Sequence, residues 1–199
     1  MSDTPLTHLM FDIETLGVRE RAVVTTLACV PFTLEDDKTY KEHVKDGFFV
    51  KFDVKEQISK YSRVTDPDTI TWWKGQSDEA KKNSILPSEN DQSLVDGCSA
   101  LRKFIKGTQY DFKNSFIWSR GCYFDFPKIE DLYRDLGEKA PFNGFKIRDT
   151  RTMIDVLTGS LRGDYNLEGG QPDGFVHHHA LHDCALEIAK MKEIYKSLL

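Results

Sequence analysis

The stretch 9–14, LMFDIE, combines a strand pattern with two acidic side chains. Leu9, Phe11 and Ile13 occupy every second position, and a period of two is typical of a β-strand with one buried face. Because side chains alternate across a strand, Asp12 and Glu14 leave it on the same face. The stretch therefore predicts a strand that presents two carboxylates side by side.

Four further strands and a series of helices are predicted around this strand. Segments 22–32 and 47–54 are rich in β-branched and aromatic residues, and short connections to the first strand favour an antiparallel meander. Strands at 115–119 and 145–148 alternate with helical segments further along the chain. The predicted helices are 55–61, 68–74, 77–82, 94–105, 126–136, 150–157 and a long amphipathic helix through 181–198. This order indicates an α/β protein with a mixed sheet flanked by helices.

Composition limits the classes of protein that this chain can represent. Hydrophobic residues make up 39% and charged residues 30% of 199 residues, which is typical of one globular domain, and we expect it to span 1–199. A net charge of −5 argues against a protein that coats long duplexes. We expect a cytoplasmic location, or the host cytoplasm if a phage encodes the chain. The first residues lack a secretory signal, the four cysteines form no CxxC pair, and no apolar stretch is long enough to span a membrane.

The pair Asp12 and Glu14 allows two interpretations. Two neighbouring carboxylates are costly to bury because like charges raise each other's pKa, and a divalent cation removes that cost. The alternative is that the strand ends here and both acids are solvated.

A third acidic residue, Asp125, follows the predicted strand 115–119 and a short loop that contains Gly121. It stands just before the predicted helix, which has Pro127 in its first turn. This position is typical of an N-cap, whose carboxylate accepts backbone N–H groups. A metal ligand is also compatible, since one oxygen can cap the helix while the other faces a cation.

Asp183 lies near the start of the last predicted helix, among the apolar positions Leu181 and Cys184, so a fully solvated face is not expected. His178 lies five positions earlier. On one continuous helix the two side chains would point about 140° apart. They can share a site only if His178 lies in the loop before the helix.

Two other interpretations of the histidine-rich segment remain open. His178 and His182 are spaced i, i+4, as in a zinc pair on one helical face. Position 179 is His rather than the Glu of the HExxH motif, so such a pair would lack a general base. A simple group of solvated histidines is the other possibility.

In chain order, Asp12-Ile13-Glu14-Thr15, Tyr123-Phe124-Asp125 and His178-His179-Ala180-Leu181-His182-Asp183 resemble the motifs of the DEDDh (DnaQ-like) 3′-5′ exonuclease family. The third segment matches the H-x-A-x-x-D pattern at every fixed position. Trp72-Trp73 with Gln76, and Trp118 ahead of the second motif, are most similar to the branch that contains phage exonuclease A and a bacterial exoribonuclease.

The resemblance implies an RNase H-like fold whose mixed sheet has five strands, the first three antiparallel. It also implies two divalent cations, Mg²⁺ or Mn²⁺, held by Asp12, Glu14, Asp125 and Asp183, with Asp12 bridging both. His178 is assigned as the general base because imidazole titrates near neutral pH.

The expected substrate contacts are less specific. Thr15 and Leu16, which end the first motif and follow it, are candidate substrate-binding residues. The resemblance implies that Leu16 wedges against the terminal base with its backbone at the 3′-hydroxyl; packing of Leu16 in the core is the alternative. Trp72 and Phe124 are candidates for stacking on a base. Since adjacent residues on a helix point about 100° apart, only one of Trp72 and Trp73 can face a single site.

We therefore predict a 3′-5′ exonuclease that acts at the 3′ end of nucleic acid, single-stranded DNA above all, and releases nucleoside 5′-monophosphates. A 3′-5′ exoribonuclease with the same site is an alternative, as is a non-catalytic module of this fold that binds nucleic acid or protein. A glycosidase that uses Asp12 and Glu14 would leave Asp125, His178 and Asp183 without a role. No pattern indicates a membrane partner or an oligomeric state.

Overall fold

The computed structural model describes residues 5–199 and contains a five-stranded sheet at its centre. The strands are β1 (His8–Thr15), β2 (Val24–Phe32), β3 (Phe48–Lys51), β4 (Ile117–Ser119) and β5 (Ile147–Asp149). Their order in the sheet is β3-β2-β1-β4-β5. The pairs β1–β2 and β2–β3 are antiparallel, whereas β1–β4 and β4–β5 are parallel. The predicted α/β class and the mixed sheet with three antiparallel strands are confirmed.

Eight α-helices and one short 3₁₀ helix flank this sheet in the described part of the chain. The α-helices are α1 (Tyr40–Asp46), α2 (Val54–Tyr61), α3 (Pro67–Lys74), α4 (Asp78–Ser84), α5 (Leu94–Gly107), α6 (Cys122–Asp135), α7 (Thr150–Thr158) and α8 (Ala180–Ser197). None of them is both long and apolar enough to cross a membrane. Residues 1–4, on which part of the expectation about a secretory signal rests, lie outside the described residues.

The two faces of β1 pack against different helices, as the alternation of its side chains predicts. Leu9, Phe11 and Ile13 lie in a core cluster with buried side chains of α5 and α6. Met10 lies in a second cluster with the apolar face of α8, which includes Ile188. Asp12 and Glu14 share the face of Met10, so β1 directs both acids toward the side of the sheet that α8 covers.

The predicted connection between the second and third strands is wrong. Helix α1 lies between them, and Thr39 and Glu42 form a capping box at its start. The third strand is also shorter than predicted: it ends at Lys51, because Asp53 caps α2 and the helix begins at Val54. At the other edge, the 3₁₀ helix Gly144–Lys146 replaces the start of the predicted fifth strand, which therefore spans Ile147–Asp149.

Candidate active site

Three acidic side chains converge where β1 meets the start of α8. One carboxylate oxygen each of Asp12, Glu14 and Asp183 lies within 4.8 Å of the others, and all three side chains are half-buried. Asp12 and Glu14 come from β1, whereas Asp183 lies in the first turn of α8. The strand spacing and the helix together therefore bring distant acids into one cluster.

Asp125 lies inside the first turn of α6 and is not the N-cap of that helix, so the N-cap interpretation is wrong. Helix α6 begins at Cys122, and its N-cap is Gly121, whose φ of 99° lies in the left-handed region that favours glycine. Asp149 supplies the capping oxygen instead, accepting the backbone N–H groups of Gly121 and Cys122 at 2.8 and 2.9 Å. The carboxylate of Asp125 is thus not used for capping.

The Asp125 carboxylate is buried at 2% exposure. Its Oδ2 atom has no hydrogen-bond partner among residues 5–199. Buried polar atoms are normally paired, and an orphaned one points to an absent water or ion. Charge interactions raise the pKa of Asp12 in part because Asp125 is near it, so Asp125 belongs to the same acidic neighbourhood.

The four acids form a concentration of negative charge that nearby lysine and arginine side chains offset only in part. Burial, followed by the charges of Asp125, Asp183 and Glu14, raises the pKa of Asp12 well above its usual range. Burial and the charges of Asp183 and Asp125 raise the pKa of Glu14 in the same way. Burial raises the pKa of Asp125 to about 7, and burial with the charge of Glu187 raises that of Asp183 to about 7. None of these four carboxylates forms an ion pair with a described lysine or arginine.

His178 lies in the loop before α8, outside the helix, which begins at Ala180. Its φ of 58° is left-handed, which is uncommon for a residue with a Cβ atom. The imidazole packs edge-to-face against the indole rings of Trp72 and Trp73, with ring centroids 4.8 and 6.0 Å away. Partial burial lowers the pKa of His178, so the ring is neutral and able to accept a proton at neutral pH.

The zinc pair of His178 and His182 on one helical face does not form, because only His182 lies on the helix. The Nδ1 atom of His182 accepts the backbone N–H of Val176 at 3.0 Å. A solvated histidine cluster is also wrong, since the His179 ring stacks on His182 and on Phe49. These two histidines pack in the structure and leave His178 separate.

A cavity of about 350 Å³ opens beside Glu14, and three of the four expected substrate-binding residues line it. Thr15, Trp72 and Phe124 line it, together with the buried Trp73. The exposed fractions of Trp72 and Phe124 are 47% and 37%, so both rings are accessible. Trp73 is 1% exposed, and its indole N–H donates to the carbonyl oxygen of Thr15 at 2.9 Å. As expected for adjacent helical residues, one tryptophan is accessible and the other anchors the helix to β1.

Leu16 follows this strand but is not among the residues that line the cavity. Its backbone N–H donates to the carbonyl oxygen of Val23 at 2.9 Å, and its own carbonyl oxygen accepts from Asp66 N–H at 2.7 Å. Its side chain is half-buried. The backbone of Leu16 can therefore make one further hydrogen bond, in which the second lone pair of its carbonyl oxygen accepts.

Two residues, one beside Asp183 and one in contact with His178, belong to none of the three motifs. Glu187 is buried one turn after Asp183 on α8, and its Oε2 atom accepts from the Thr150 hydroxyl at 2.8 Å. The i, i+4 spacing from Asp183 could have placed it on the same helical face. Ser84, at the end of α4, donates its hydroxyl to the backbone carbonyl of His178. No sequence signal indicates a contact between residues so far apart.

The donor set fits hard divalent cations. All atoms that converge here are carboxylate oxygens, which suit Mg²⁺ and Mn²⁺. The orphaned Oδ2 of Asp125 supplies a further unused donor. A set of unpaired, partly buried carboxylates is stable when a cation neutralises it.

Comparisons with known proteins agree with this geometry. Residues 7–195 match the family described as 3′-5′ exoribonuclease Rv2179c-like domain. The exodeoxyribonuclease of Enterobacteria phage T4 is 38% identical to this chain over an alignment of 201 positions, gaps included. The alignment covers 92% of this chain and 86% of the phage protein.

Solved structures of exonuclease I share the fold. The zinc-bound form of the Escherichia coli exonuclease I–ssDNA complex has a TM-score of 0.61 at 11% identity, and the match covers 98% of this chain and 41% of the other. Exonuclease I of Methylocaldum szegediense has a TM-score of 0.58 at 12% identity, and the match covers 96% of this chain and 40% of the other. This chain thus spans less than half the length of those structures.

The exonuclease I structures share the fold at only 11–12% sequence identity. The family match, by contrast, covers nearly the whole chain, and the phage protein is 38% identical. The family resemblance inferred from the three motifs is confirmed. The chain belongs to the 3′-5′ exoribonuclease Rv2179c-like family and is a DnaQ-like 3′-5′ exonuclease of nucleic acid.

Proposed function

We propose that the chain is a DEDDh-type 3′-5′ exodeoxyribonuclease that removes nucleoside 5′-monophosphates from single-stranded DNA with two divalent cations. The observation that carries this proposal is the convergence of Asp12, Glu14 and Asp183 beside the buried, unpartnered oxygen of Asp125. A glycosidase would use only two of these acids, and a binding module would need none of them.

The four carboxylates would hold two Mg²⁺ or Mn²⁺ ions, which when bound activate water and stabilise the leaving oxygen in phosphoryl transfer. After burial, the charges of Asp125, Asp183 and Glu14 raise the pKa of Asp12, so all three acids are near it. This proximity supports a bridging role for Asp12.

His178 accepts a proton from the attacking water at an imidazole nitrogen. Its lowered pKa supports this role because a general base must be unprotonated before it acts. His178 lies in the loop and not on α8, so the divergence of about 140° expected for these two positions on one helix does not apply. The two indoles that contact the ring restrict its orientation.

The cavity beside Glu14 would receive the terminal nucleotide. Trp72 and Phe124 expose ring surface there, and base–aromatic stacking contributes about 1–3 kcal/mol per base. Stacking is tolerant of base identity because every base has a π-face. Thr15 ends β1 directly after Glu14 and Leu16 follows it, so these two residues would be the backbone neighbours of the 3′ end in this arrangement.

DNA is favoured because the phage relative, at 38% identity, is named an exodeoxyribonuclease. RNA is the second candidate, since the family description names an exoribonuclease.

The deciding experiment is digestion of matched 5′-labelled DNA and RNA single strands with Mg²⁺, Mn²⁺ or EDTA. We expect a ladder that shortens from the 3′ end of DNA, only with metal. Faster RNA shortening would establish the second candidate, and binding without cleavage would establish a non-catalytic module.

Two variants separate the roles of base and ligand. His178→Ala should lower turnover and leave Mn²⁺ and DNA binding largely intact, whereas Asp183→Asn should weaken Mn²⁺ binding. Calorimetric titration with Mn²⁺ and single-turnover rates measure both. Full turnover of His178→Ala, or unchanged Mn²⁺ affinity of Asp183→Asn, would contradict the corresponding role.

A further inference from the structure

The last residue of α4 contacts the candidate general base through its backbone. Ser84 is fully buried, and its hydroxyl donates to the carbonyl oxygen of His178. The two residues are 94 positions apart, so this bond links two distant segments. It attaches the loop before α8 to the segment formed by α3 and α4.

The loop needs such an attachment because His178 has a left-handed backbone. A φ of 58° is uncommon for a residue with a Cβ atom, although histidine adopts it more often than most residues do. Conformations of this kind persist where the surroundings hold them, and they concentrate at functional sites. The Ser84 hydroxyl binds the carbonyl group of this same residue, so it opposes relaxation of the backbone toward an ordinary conformation.

The segment formed by α3 and α4 also contacts the ring of His178. Trp72 meets the imidazole edge-to-face at 4.8 Å, and Trp73 does so at 6.0 Å. Trp73 is in turn bonded to the carbonyl oxygen of Thr15 at 2.9 Å, on the strand that carries Asp12. The same two helices therefore contact the backbone of His178, its ring and the strand of the acids.

We propose that Ser84 is a positioning residue that sets the backbone of His178 and thereby the place of its imidazole beside the acidic cluster. The proposal rests on the proposed role of His178 as general base. Ser84 is fully buried and does not reach the substrate, so it acts only through His178.

A double-mutant cycle tests this role. Ser84→Ala, His178→Ala and the double variant are compared with the unsubstituted protein in single-turnover cleavage of single-stranded DNA at saturating Mn²⁺. A displaced catalytic group costs on the order of 100-fold in rate, so we expect Ser84→Ala to lower the rate constant about 10- to 100-fold with little change in KM. In the His178→Ala background the same substitution should have almost no effect.

Ser93→Ala is the matched control. The Ser93 hydroxyl caps α5 by accepting the backbone N–H of Asp96, and it donates to the Asp96 carboxylate at 2.6 Å. Its loss therefore also removes serine hydroxyl bonds, but far from His178 in the chain. We expect this variant to keep the rate of the unsubstituted protein. Thermal unfolding of both variants shows whether Ser84→Ala is folded at the assay temperature.

A measurement without turnover complements the cycle. In metal-free protein, the imidazole proton signals of His178 should shift in Ser84→Ala and stay in place in Ser93→Ala. This readout also applies if Ser84→Ala is only marginally stable, since it needs folded protein at low temperature alone.

The outcomes distinguish the inference from the proposed function. Full rate in Ser84→Ala, or an equal loss in both backgrounds, would overturn the positioning role and leave the base assignment standing. Full rate in His178→Ala would contradict the base assignment and this inference with it.

Discussion

Asp149 accepts the backbone N–H of Gly121 at 2.8 Å, so the end of β5 fixes the start of the helix that carries Asp125. The same Oδ2 atom accepts from Cys122 N–H at 2.9 Å. The Oδ1 atom accepts from Thr152 N–H at 3.0 Å and caps α7. One carboxylate therefore caps two helices, and one of them carries a candidate metal ligand.

The next residue makes the corresponding contact with α8. The Thr150 hydroxyl donates to Glu187 Oε2 at 2.8 Å, one turn after Asp183. Lys190 also binds Glu187, at 2.9 Å. The adjacent residues Asp149 and Thr150 thus connect to both helices that carry the remote acids.

We expect Asp149→Ala to weaken Mn²⁺ binding. Loss of the cap releases the first turn of α6 and displaces Asp125, and outer partners of metal ligands typically contribute about 10- to 100-fold in affinity. Each lost cap should also lower the free energy of unfolding by about 1 kcal/mol. Calorimetric Mn²⁺ titration and urea unfolding measure the two effects.

Asp53→Ala is the control for this variant. Asp53 caps α2 through Glu56 N–H at 3.0 Å, so its loss removes a similar cap elsewhere. It should lower stability by about 1 kcal/mol and leave Mn²⁺ affinity unchanged. If both variants bind Mn²⁺ equally well, Asp149 does not position Asp125.

The acids on β1 could be predicted as neighbours because the period of a strand fixes which side chains share a face. The position of Asp125 could not, because the start of α6 depends on Gly121 and on a cap from Asp149, 28 positions away. Local patterns made Asp125 itself the natural cap. The local pattern therefore predicted the wrong role for Asp125 at the start of α6.

The third motif shows the same limit. The separation of His178 from Asp183 indicated that the histidine must lie outside the helix, and the helix does begin at Ala180. What holds the histidine there could not be predicted, since Ser84 and Trp72 reach it by contacts across the fold. Helix α1 was missed for a local reason: its apolar pattern is weak, and its signal is the capping box at Thr39 and Glu42.

Asp12→Asn should raise the unfolding temperature of metal-free protein at pH 8. Burial and four neighbouring carboxylates disfavour the charged form of Asp12, and the amide removes that cost. Each 1 kcal/mol gained corresponds to about 2–4 °C in Tm. The same variant should lose most of the stabilisation that Mn²⁺ gives the unsubstituted protein, because binding to the folded state raises Tm.

Differential scanning fluorimetry with EDTA or with Mn²⁺ measures both effects of Asp12→Asn. Asp37→Asn is the control, since it removes the same charge at a side chain that is 95% exposed. A metal-free Tm that falls in Asp12→Asn would contradict the electrostatic account.

Metal-free protein should lose stability as the pH rises from about 4 to 7. The pKa values of Asp125 and Asp183 are raised to about 7 in the folded protein. In the unfolded chain these groups titrate at about 3.9. The folded state therefore binds more protons in this range, and the free energy of unfolding decreases with pH.

Thermal unfolding in EDTA between pH 4.5 and 8 measures this dependence, and the Asp125→Asn/Asp183→Asn double variant should flatten it. Saturating Mg²⁺ should also reduce the loss above pH 6, because the bound ion favours the ionised carboxylates. A rise of stability with pH in EDTA between 5 and 7 in the unsubstituted protein would contradict these pKa shifts.

Trp72→Ala should weaken binding of the 3′-terminal base. Trp72 exposes 47% of its surface and lines the cavity beside Glu14, so its loss should raise the dissociation constant of DNA by the equivalent of about 1–3 kcal/mol. The comparison that isolates stacking is between an oligonucleotide with a normal 3′-terminal base and one with an abasic 3′ residue, each bound in Ca²⁺ so that cleavage is suppressed. Trp72→Ala should weaken the first complex and leave the second nearly unchanged.

Phe145→Ala, which removes an aromatic ring that is 94% exposed on the 3₁₀ helix, should affect neither complex. Equal weakening of both complexes by Trp72→Ala would mean that Trp72 supports the fold of the site and does not contact the base.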